Sequence, residues 1–266
     1  MKINTPAEIA LASLASGRAK VDATRNARPR LFVQAILAGA FIAFGGTLSL
    51  IVGYGFPGIS AENPGLQKLL CGCMFPIGLI LVVVLGAELF TGNNALLIPA
   101  YMRRKATWGD IAMNWTLVYL GNLAGALLFT YALVYSVGLL RPAVYHDAII
   151  SIAEAKVSMD WMTVFLKGIG ANWCVCLAVW LALSGKTLIE KCIGCWLPVM
   201  AFVALGYEHS IANMFYLPAG MLEGAEVDVW TAVWRNIIPA TMGNIAGGAL
   251  LVGMVHSYIH LAKEKN

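Results

Sequence analysis

The chain has 266 residues, of which 59% are hydrophobic and 12% charged, and its mean hydropathy is +0.75. A soluble domain carries about twice that charged share, so a water-facing globule is excluded and an integral membrane protein is indicated. The excess of 18 Lys and Arg over 14 Asp and Glu is small, so where the cations fall matters more than their sum, and no nucleic-acid partner is expected.

Residues 1–30 are polar and basic. Thr5-Pro6-Ala7-Glu8 reads as a helix start, with Thr as the cap, Pro in the first turn and Glu three residues after Thr. A modest amphipathic helix is predicted from there to about Lys20, too charged for a signal peptide and suited to a membrane interface or a subunit contact.

Six apolar segments follow, at about 31–53, 69–98, 109–137, 161–183, 190–216 and 230–260. Each is near the ~20 residues that a bilayer requires. The second and fifth are long and internally interrupted, and Pro- and Gly-rich stretches such as Tyr54-Gly55-Phe56-Pro57-Gly58 and Leu217-Pro218-Ala219-Gly220 read as loops. The expected division is an N-terminal segment (1–30), one six-helix transmembrane domain (31–260) and a short tail (261–266).

The cations orient the chain. Lys2, Arg18, Lys20, Arg25, Arg28 and Arg30 precede the first span, Arg103-Arg104-Lys105 follows the second, Lys186 and Lys191 flank the fourth loop, and Lys263 and Lys265 close the chain. With six spans all of these fall on one side, opposite Glu62, Asp147, Glu154, Asp160, Glu223, Glu226 and Asp228. Both termini are therefore expected in the cytoplasm.

The six cysteines lie in apolar runs. Cys71/Cys73 and Cys174/Cys176 are two apart and diverge on a helix, while Cys192 and Cys195 can share a face. A structural zinc site needs about four ligands, so these read as small buried hydrophobes, and no metal or cofactor is expected. His256 and His260, four apart, share a helix face and read as an interfacial pair near the cytoplasmic end. His146 falls in an outer loop without an identifiable partner.

The halves repeat at a spacing of about 122 residues. Gly72-Cys73-Met74-Phe75-Pro76 matches Gly194-Cys195-Trp196-Leu197-Pro198, Trp108 and Asn114 match Trp230 and Asn236, and Gly121-Asn122-Leu123-Ala124-Gly125 matches Gly243-Asn244-Ile245-Ala246-Gly247. Glu88-Leu89-Phe90-Thr91-Gly92-Asn93 matches Glu208-His209-Ser210-Ile211-Ala212-Asn213 at a spacing of 120. Each half holds three spans, an odd number, so the second must insert upside down relative to the first. Inverted repeats place a substrate path at their interface, where interrupted helices meet. Here the interruptions are the two Glu-x-x-x-x-Asn stretches, with Thr91, Gly92, Asn93 and Asn94 as one polar loop and His209, Ser210 and Asn213 as the other. Half-helix N-termini attract anions, and irregular backbone at membrane depth survives only where it lines a cavity or is buried in protein. Ionisable residues such as Glu208 and His209 inside a span point to function by default.

At Gly206-Tyr207-Glu208-His209-Ser210-Ile211-Ala212-Asn213-Met214 the pattern becomes specific, together with Ala87-Glu88-Leu89-Phe90-Thr91-Gly92-Asn93, the stretch from Lys167-Gly168-Ile169-Gly170-Ala171-Asn172-Trp173 to Trp180, and Gly243-Asn244-Ile245-Ala246-Gly247-Gly248. The chain resembles the formate/nitrite transporter family across about 30–260. The resemblance implies an aquaporin-like protomer, all-α, with broken second and fifth helices, assembled as a homopentamer in the prokaryotic cell membrane. It implies transport of small weak-acid anions such as formate, nitrite or hydrosulfide, and no enzymatic reaction. Carried over residue by residue, His209 is the central pore histidine, Glu208 its acidic neighbour, Thr91 the threonine of the first break and Asn172 an asparagine beside the pore. Phe75 and Phe202 match the outer constriction, Leu79 and Leu89 the inner one, and Lys156 an outer-vestibule lysine. Pro76 departs from the family pattern, where a small residue is expected, and should alter the local bend.

The mechanism implied is that Lys156 and the half-helix dipoles draw the anion in, and His209, aided by Thr91 and Asn172, supplies a proton so that a neutral acid crosses the apolar rings. Formate leads over nitrite and hydrosulfide because much of the family is of that kind. A hydrolase is not expected, because Ser210 and His209 are adjacent and adjacent helical residues diverge by about 100°. An aquaporin-type pore for neutral solutes would carry two Asn-Pro-Ala turns, and the sequence has none.

Overall fold

The computed structural model describes residues 3–261 and is built from helices. Lys2, Lys263 and Lys265, counted above among the orienting cations, lie outside the described residues. Helix α1 (Pro6–Asn26) begins at the expected capping box, in which the Glu8 amide donates to Thr5 Oγ1 and the Thr5 amide donates back to Glu8. It outruns the expected end at Lys20 by nearly two turns. Its buried positions Ala10, Ser13, Gly17, Val21 and Thr24 form one stripe. That stripe packs on α6 (Phe90–Met102), so within this chain α1 is docked on protein. Gly17 makes the approach possible, since a Cβ there would lie 2.2 Å from the Leu96 carbonyl oxygen.

Helix α2 (Arg28–Tyr54) restarts after Ala27 with Pro29 in its first turn. The Gly55–Gly58 region leads into a short helix, α3 (Pro57–Glu62), in place of the expected loop. Helix α4 (Pro64–Met74) gives way at Phe75-Pro76 to α5 (Ile77–Leu85), and the chain resumes as α6 after a break. Helix α7 (Trp108–Phe129) follows and ends in a π-helical turn, Thr130–Tyr135. Two further elements differ from expectation. The expected outer loop carrying His146 and Lys156 is a helix, α8 (Ala143–Ser158). The expected loop at Pro218 lies inside a helix, α11 (Ser210–Leu222). A proline's missing amide is tolerated in a membrane-type helix when neighbouring groups re-satisfy the freed carbonyl.

Between these run α9 (Trp161–Ser184) and α10 (Leu188–Ala204). The last apolar segment, Val229–His260, comprises α12 (Val229–Ala232), α13 (Ile238–Ile245) and α14 (Val255–His260), joined by π-helical stretches. Among the described residues five helical segments are long and apolar enough to cross a membrane: Arg28–Tyr54, Pro64–Leu85, Trp108–Tyr135, Trp161–Ser184 and Val229–His260. The expected fifth span is the pair α10 and α11, each too short alone because the chain breaks between them. Exposed Leu128, Tyr131, Val137, Trp230 and Trp234 leave an apolar outer surface that water would not tolerate.

Small residues set the packing. Helix α7 lies against α2, where a Cβ on Gly125 would fall 1.9 Å from the Ile36 carbonyl oxygen. Helix α13 lies against α9 in the same way, a Cβ on Gly243 falling 2.1 Å from the Phe165 carbonyl. The Gly-x-x-x-Gly stretches therefore serve close packing onto α2 and α9. Asp160 and Asp228, just ahead of α9 and α12, cap them through Thr163 and Thr231. Those hydrogen bonds hold both carboxyls below their ordinary range.

Candidate functional site

Both breaks are made by the same backbone device. Gly86 and Gly206 take left-handed conformations, with φ of 71° and 70°. Glycine adopts that region without a Cβ penalty and stops a helix there. The following amides fold back onto the preceding turn, Ala87 to the Val82 carbonyl and Tyr207 to the Phe202 carbonyl. The chain then extends through Leu89 and His209, both in β conformation, before α6 and α11 begin. The interruptions thus span Gly86–Leu89 and Leu205–His209. Gly92, Asn93 and Asn213, expected in the loops, sit instead in the first turns of α6 and α11. The shift is physical: the glycine before each glutamate ends the helix, and the polar residues after it restart one.

The exposed peptide groups of each break are claimed by one asparagine. Asn122 on α7 accepts from the Phe90 amide (2.9 Å) and donates to the Glu88 and Ala35 carbonyls (2.9 and 2.8 Å). Asn244 on α13 accepts from the Ser210 amide (2.9 Å) and donates to the Glu208 and Gly168 carbonyls (2.9 and 2.8 Å). A buried amide left unpaired would cost about 1–3 kcal/mol, so these two side chains are what make the breaks tolerable.

Each break also presents a buried carboxylate. Glu208 receives both hydrogen bonds of Lys156 (2.9 and 3.0 Å) and those of Asn213 and Asn236 (2.7 and 3.0 Å). Glu88 receives Lys20 on both oxygens (2.8 Å each) and Asn93 (2.8 Å). Asn93 donates on to Asn114 (2.9 Å) as Asn213 does to Asn236 (2.6 Å). The two clusters are built alike, one carrying its lysine on α1 and the other on α8.

Between them the N-termini of α6 and α11 converge. Thr91 Oγ1 and His209 Nε2 lie 2.9 Å apart, and both residues are buried. His209 also caps α11, its Nδ1 accepting from the Ala212 amide at 3.1 Å. A nitrogen that accepts carries no proton, so the neutral ring bears its hydrogen on Nε2 and donates it to Thr91. The Thr91 hydroxyl hydrogen is then free to serve a solute. Asn172 on α9 holds the Thr91 backbone, sharing the two hydrogens of its Nδ2 among the Thr91 carbonyl (3.1 Å), Asn94 Oδ1 (3.1 Å) and the Asn244 carbonyl (2.6 Å).

Two cavities approach this pair from opposite sides. One, about 350 Å³, is lined by Lys20, Leu79, Glu88, Leu89, Gly92 and Lys191. The other, about 240 Å³, is lined by Lys68, Phe75, Lys156, Phe202, Glu208 and His209. Phe75 and Phe202 meet edge to face, with centroids 5.8 Å apart, and Phe202 reaches the His209 ring at 5.8 Å. Phe75, Phe202, Leu79 and Leu89 are each no more than 3% exposed. Pro76 does mark a local interruption, between α4 and α5, whereas Pro198 lies within an unbroken α10.

The structure therefore brings His209, Thr91, Asn172, Glu208 and Lys156 together and sets Leu79 and Leu89 in the lining of one cavity and Phe75 and Phe202 in that of the other. Sequence reasoning missed the roles of Asn122, Asn244, Asn114 and Asn236, although all four are anchors of the repeat. It counted Lys20 only as a flanking cation, and nothing in its spacing links it to Glu88. His146, expected without a partner, lies 4.0 Å from Glu223 and 3.4 Å from Asp147. His256 and His260 share a face as expected, with rings 5.8 Å apart.

The chain is similar to known proteins. A family model described as formate/nitrite transporter matches residues 7–258. The uncharacterized transporter YrhG of Bacillus subtilis (strain 168) is 39% identical, covering 100% of this chain and 97% of its own. The formate channel FocA of Escherichia coli (strain K12) is 38% identical, covering 99% of each chain. A solved structure of a pentameric formate channel with formate bound superposes with a TM-score of 0.79 at 31% identity, covering 90% of this chain and 99% of that one.

Proposed function

The chain belongs to the formate/nitrite transporter family, and from that premise we propose that it is a membrane channel for small monovalent weak-acid anions, formate first among them. The family is one of transporters and not of enzymes. The observation that carries the reading is the Thr91–His209 pair, the polar link between two cavities that are otherwise separated by Phe75, Phe202, Leu79 and Leu89. An ion cannot cross such apolar rings without a large desolvation cost, whereas its neutral acid can. The anion enters one cavity and accepts a hydrogen bond from Thr91; His209 takes a proton from water at Nδ1, giving up the Ala212 amide, and passes its Nε2 proton to Thr91 as the Thr91 hydroxyl passes its own to the anion, so that the neutral acid crosses and loses that proton on the other side while the ring returns to its capping tautomer.

The topology that fits is six transmembrane helices in two inverted three-helix repeats, about 31–137 and 161–260, in an aquaporin-like protomer with α1 as an N-terminal cytoplasmic segment. The matched glycine stops, asparagine clamps and glutamate–lysine pairs support it. Both termini face the cytoplasm, which places the α1-side cavity inside and the α8-side cavity outside. Five copies assemble, by analogy with the pentameric formate channel that superposes on this chain. Nitrite or hydrosulfide as the preferred anion is the second reading, and the family description, which names nitrite beside formate, favours the first of these. Competitive flux of formate, nitrite and hydrosulfide into proteoliposomes at two pH values decides. Formate uptake that leads and rises as pH falls is expected, and nitrite outrunning formate several-fold would reverse the order.

A further inference from the structure

Lys20 and Lys156 border the two cavities, yet neither is free to act on a distant solute. Each holds both oxygens of one carboxylate, Lys20 on Glu88 at 2.8 Å and Lys156 on Glu208 at 2.9 and 3.0 Å. Seen from the mouth of a cavity, such a pair is a short dipole, and the two opposite charges largely cancel. The field at each mouth must therefore come from elsewhere.

Each cavity lining contains one further lysine. Lys191, in the first turn of α10, lines the α1-side cavity, and Lys68, on α4, lines the α8-side cavity. Neither ammonium makes an ion pair or hydrogen bond among the described residues. With the paired lysine and glutamate cancelling, each lining keeps the single positive charge of its free ammonium, beside the neutral His209 on one side. The two lysines are not exact repeat mates. Gly72 and Gly194 correspond at a spacing of 122, which sets Lys68 opposite Glu190, one residue before Lys191. Both halves thus present a cation at the same end of corresponding helices, one residue out of register.

We propose that Lys68 and Lys191 are the capture residues of the two mouths, concentrating monovalent anions and turning away cations, while Lys20 and Lys156 act as struts for the buried glutamates. The assignment rests on the reading of the protein as an anion channel. A free ammonium at the rim acts by charge and not by shape, so its effect should be shared by every anion carried. It should appear in the concentration dependence of entry and not in the maximal rate, because the crossing itself occurs at Thr91 and His209.

The test uses the full chain in proteoliposomes, wild type beside Lys68→Gln, Lys191→Gln, Lys68→Arg and Lys191→Arg. Initial flux is measured against formate, nitrite and hydrosulfide concentration, in each direction, at low and high salt. One unit charge at vestibule distances in water is worth about a threefold rise in KM at low salt. The expected result is that rise with Vmax unchanged, the same for each anion, for Lys68→Gln on entry from the α8 side and for Lys191→Gln on entry from the α1 side. The difference should vanish near 1 M salt, where the Debye length is about 3 Å, and the arginine variants should restore the wild-type KM. An unchanged KM, a change that survives high salt, or a fall in Vmax would overturn the assignment while leaving the channel reading intact. A wild-type protein that carries none of the three anions overturns the channel reading, and this proposal with it.

Discussion

At the scale of single residues, the central observation is that His209 is committed on both nitrogens. Its Nδ1 is held by the Ala212 amide and its Nε2 by Thr91, so helix capping and the proposed proton handling fall on one ring. The two roles can be separated. Asparagine is a strong N-cap residue, so His209→Asn should keep the fold, with a melting temperature in detergent close to wild type, yet lose pH-dependent flux. Thr91→Val removes the hydroxyl that would hydrogen-bond the crossing solute, an interaction whose loss at a buried site costs about 1–3 kcal/mol. Flux should then fall by about tenfold or more, since each 1.4 kcal/mol on a barrier is a factor of about ten; uptake within twofold of wild type would remove the hydroxyl from the path. The sequence pointed to His209, Glu208, Thr91 and Asn172 through the repeat and the family pattern. The tautomer was not legible there, because it depends on which amide the ring caps, and that follows from where α11 starts.

At the scale of elements, the two breaks are held by charge and by amide side chains. Glu208 accepts four hydrogen bonds from Lys156, Asn213 and Asn236. Removing one partner of a buried pair costs about 3–5 kcal/mol, while replacing both with apolar groups often costs less. Glu208→Ala should therefore lower thermal stability more than the double variant Glu208→Leu/Lys156→Met, and a double variant no more stable than the single would count against the strut role. Asn244→Ala strips the Ser210 amide and the Glu208 carbonyl of their partner at once. It should cost about 2 kcal/mol or more by the same accounting of unpaired buried groups, read as loss of monodisperse protein on heating. The broken helices were legible from the paired Glu-x-x-x-x-Asn stretches. Their position was off by several residues, because the stop is set by the positive φ of Gly86 and Gly206 and the polar residues were mistaken for the loop itself. Helix α8 was missed for another reason: it is a short, half-polar segment between spans, and neither apolar length nor a strong periodic pattern marks it.

At the scale of the whole molecule, the apolar outer surface, the two matched breaks and the two cavities accord with a protein of the formate/nitrite transporter family. Membrane character followed from composition alone, and the two matched breaks from the repeated motifs. The docking of α1 against α6 did not, because its buried stripe is made of small residues that carry little hydropathic signal. Native mass measurement in detergent should give a complex of five chains, and a monomer throughout would contradict the assembly. On the proposed function, transport would turn on one passage, the transfer of a proton beside Thr91 at His209. Its most direct test is formate uptake into proteoliposomes with internal pH recorded at the same time, comparing wild type with His209→Phe. Wild-type uptake should acidify the lumen in step with formate entry, and both signals should collapse in the variant; formate flux and acidification unchanged in His209→Phe would contradict proton transfer at this histidine.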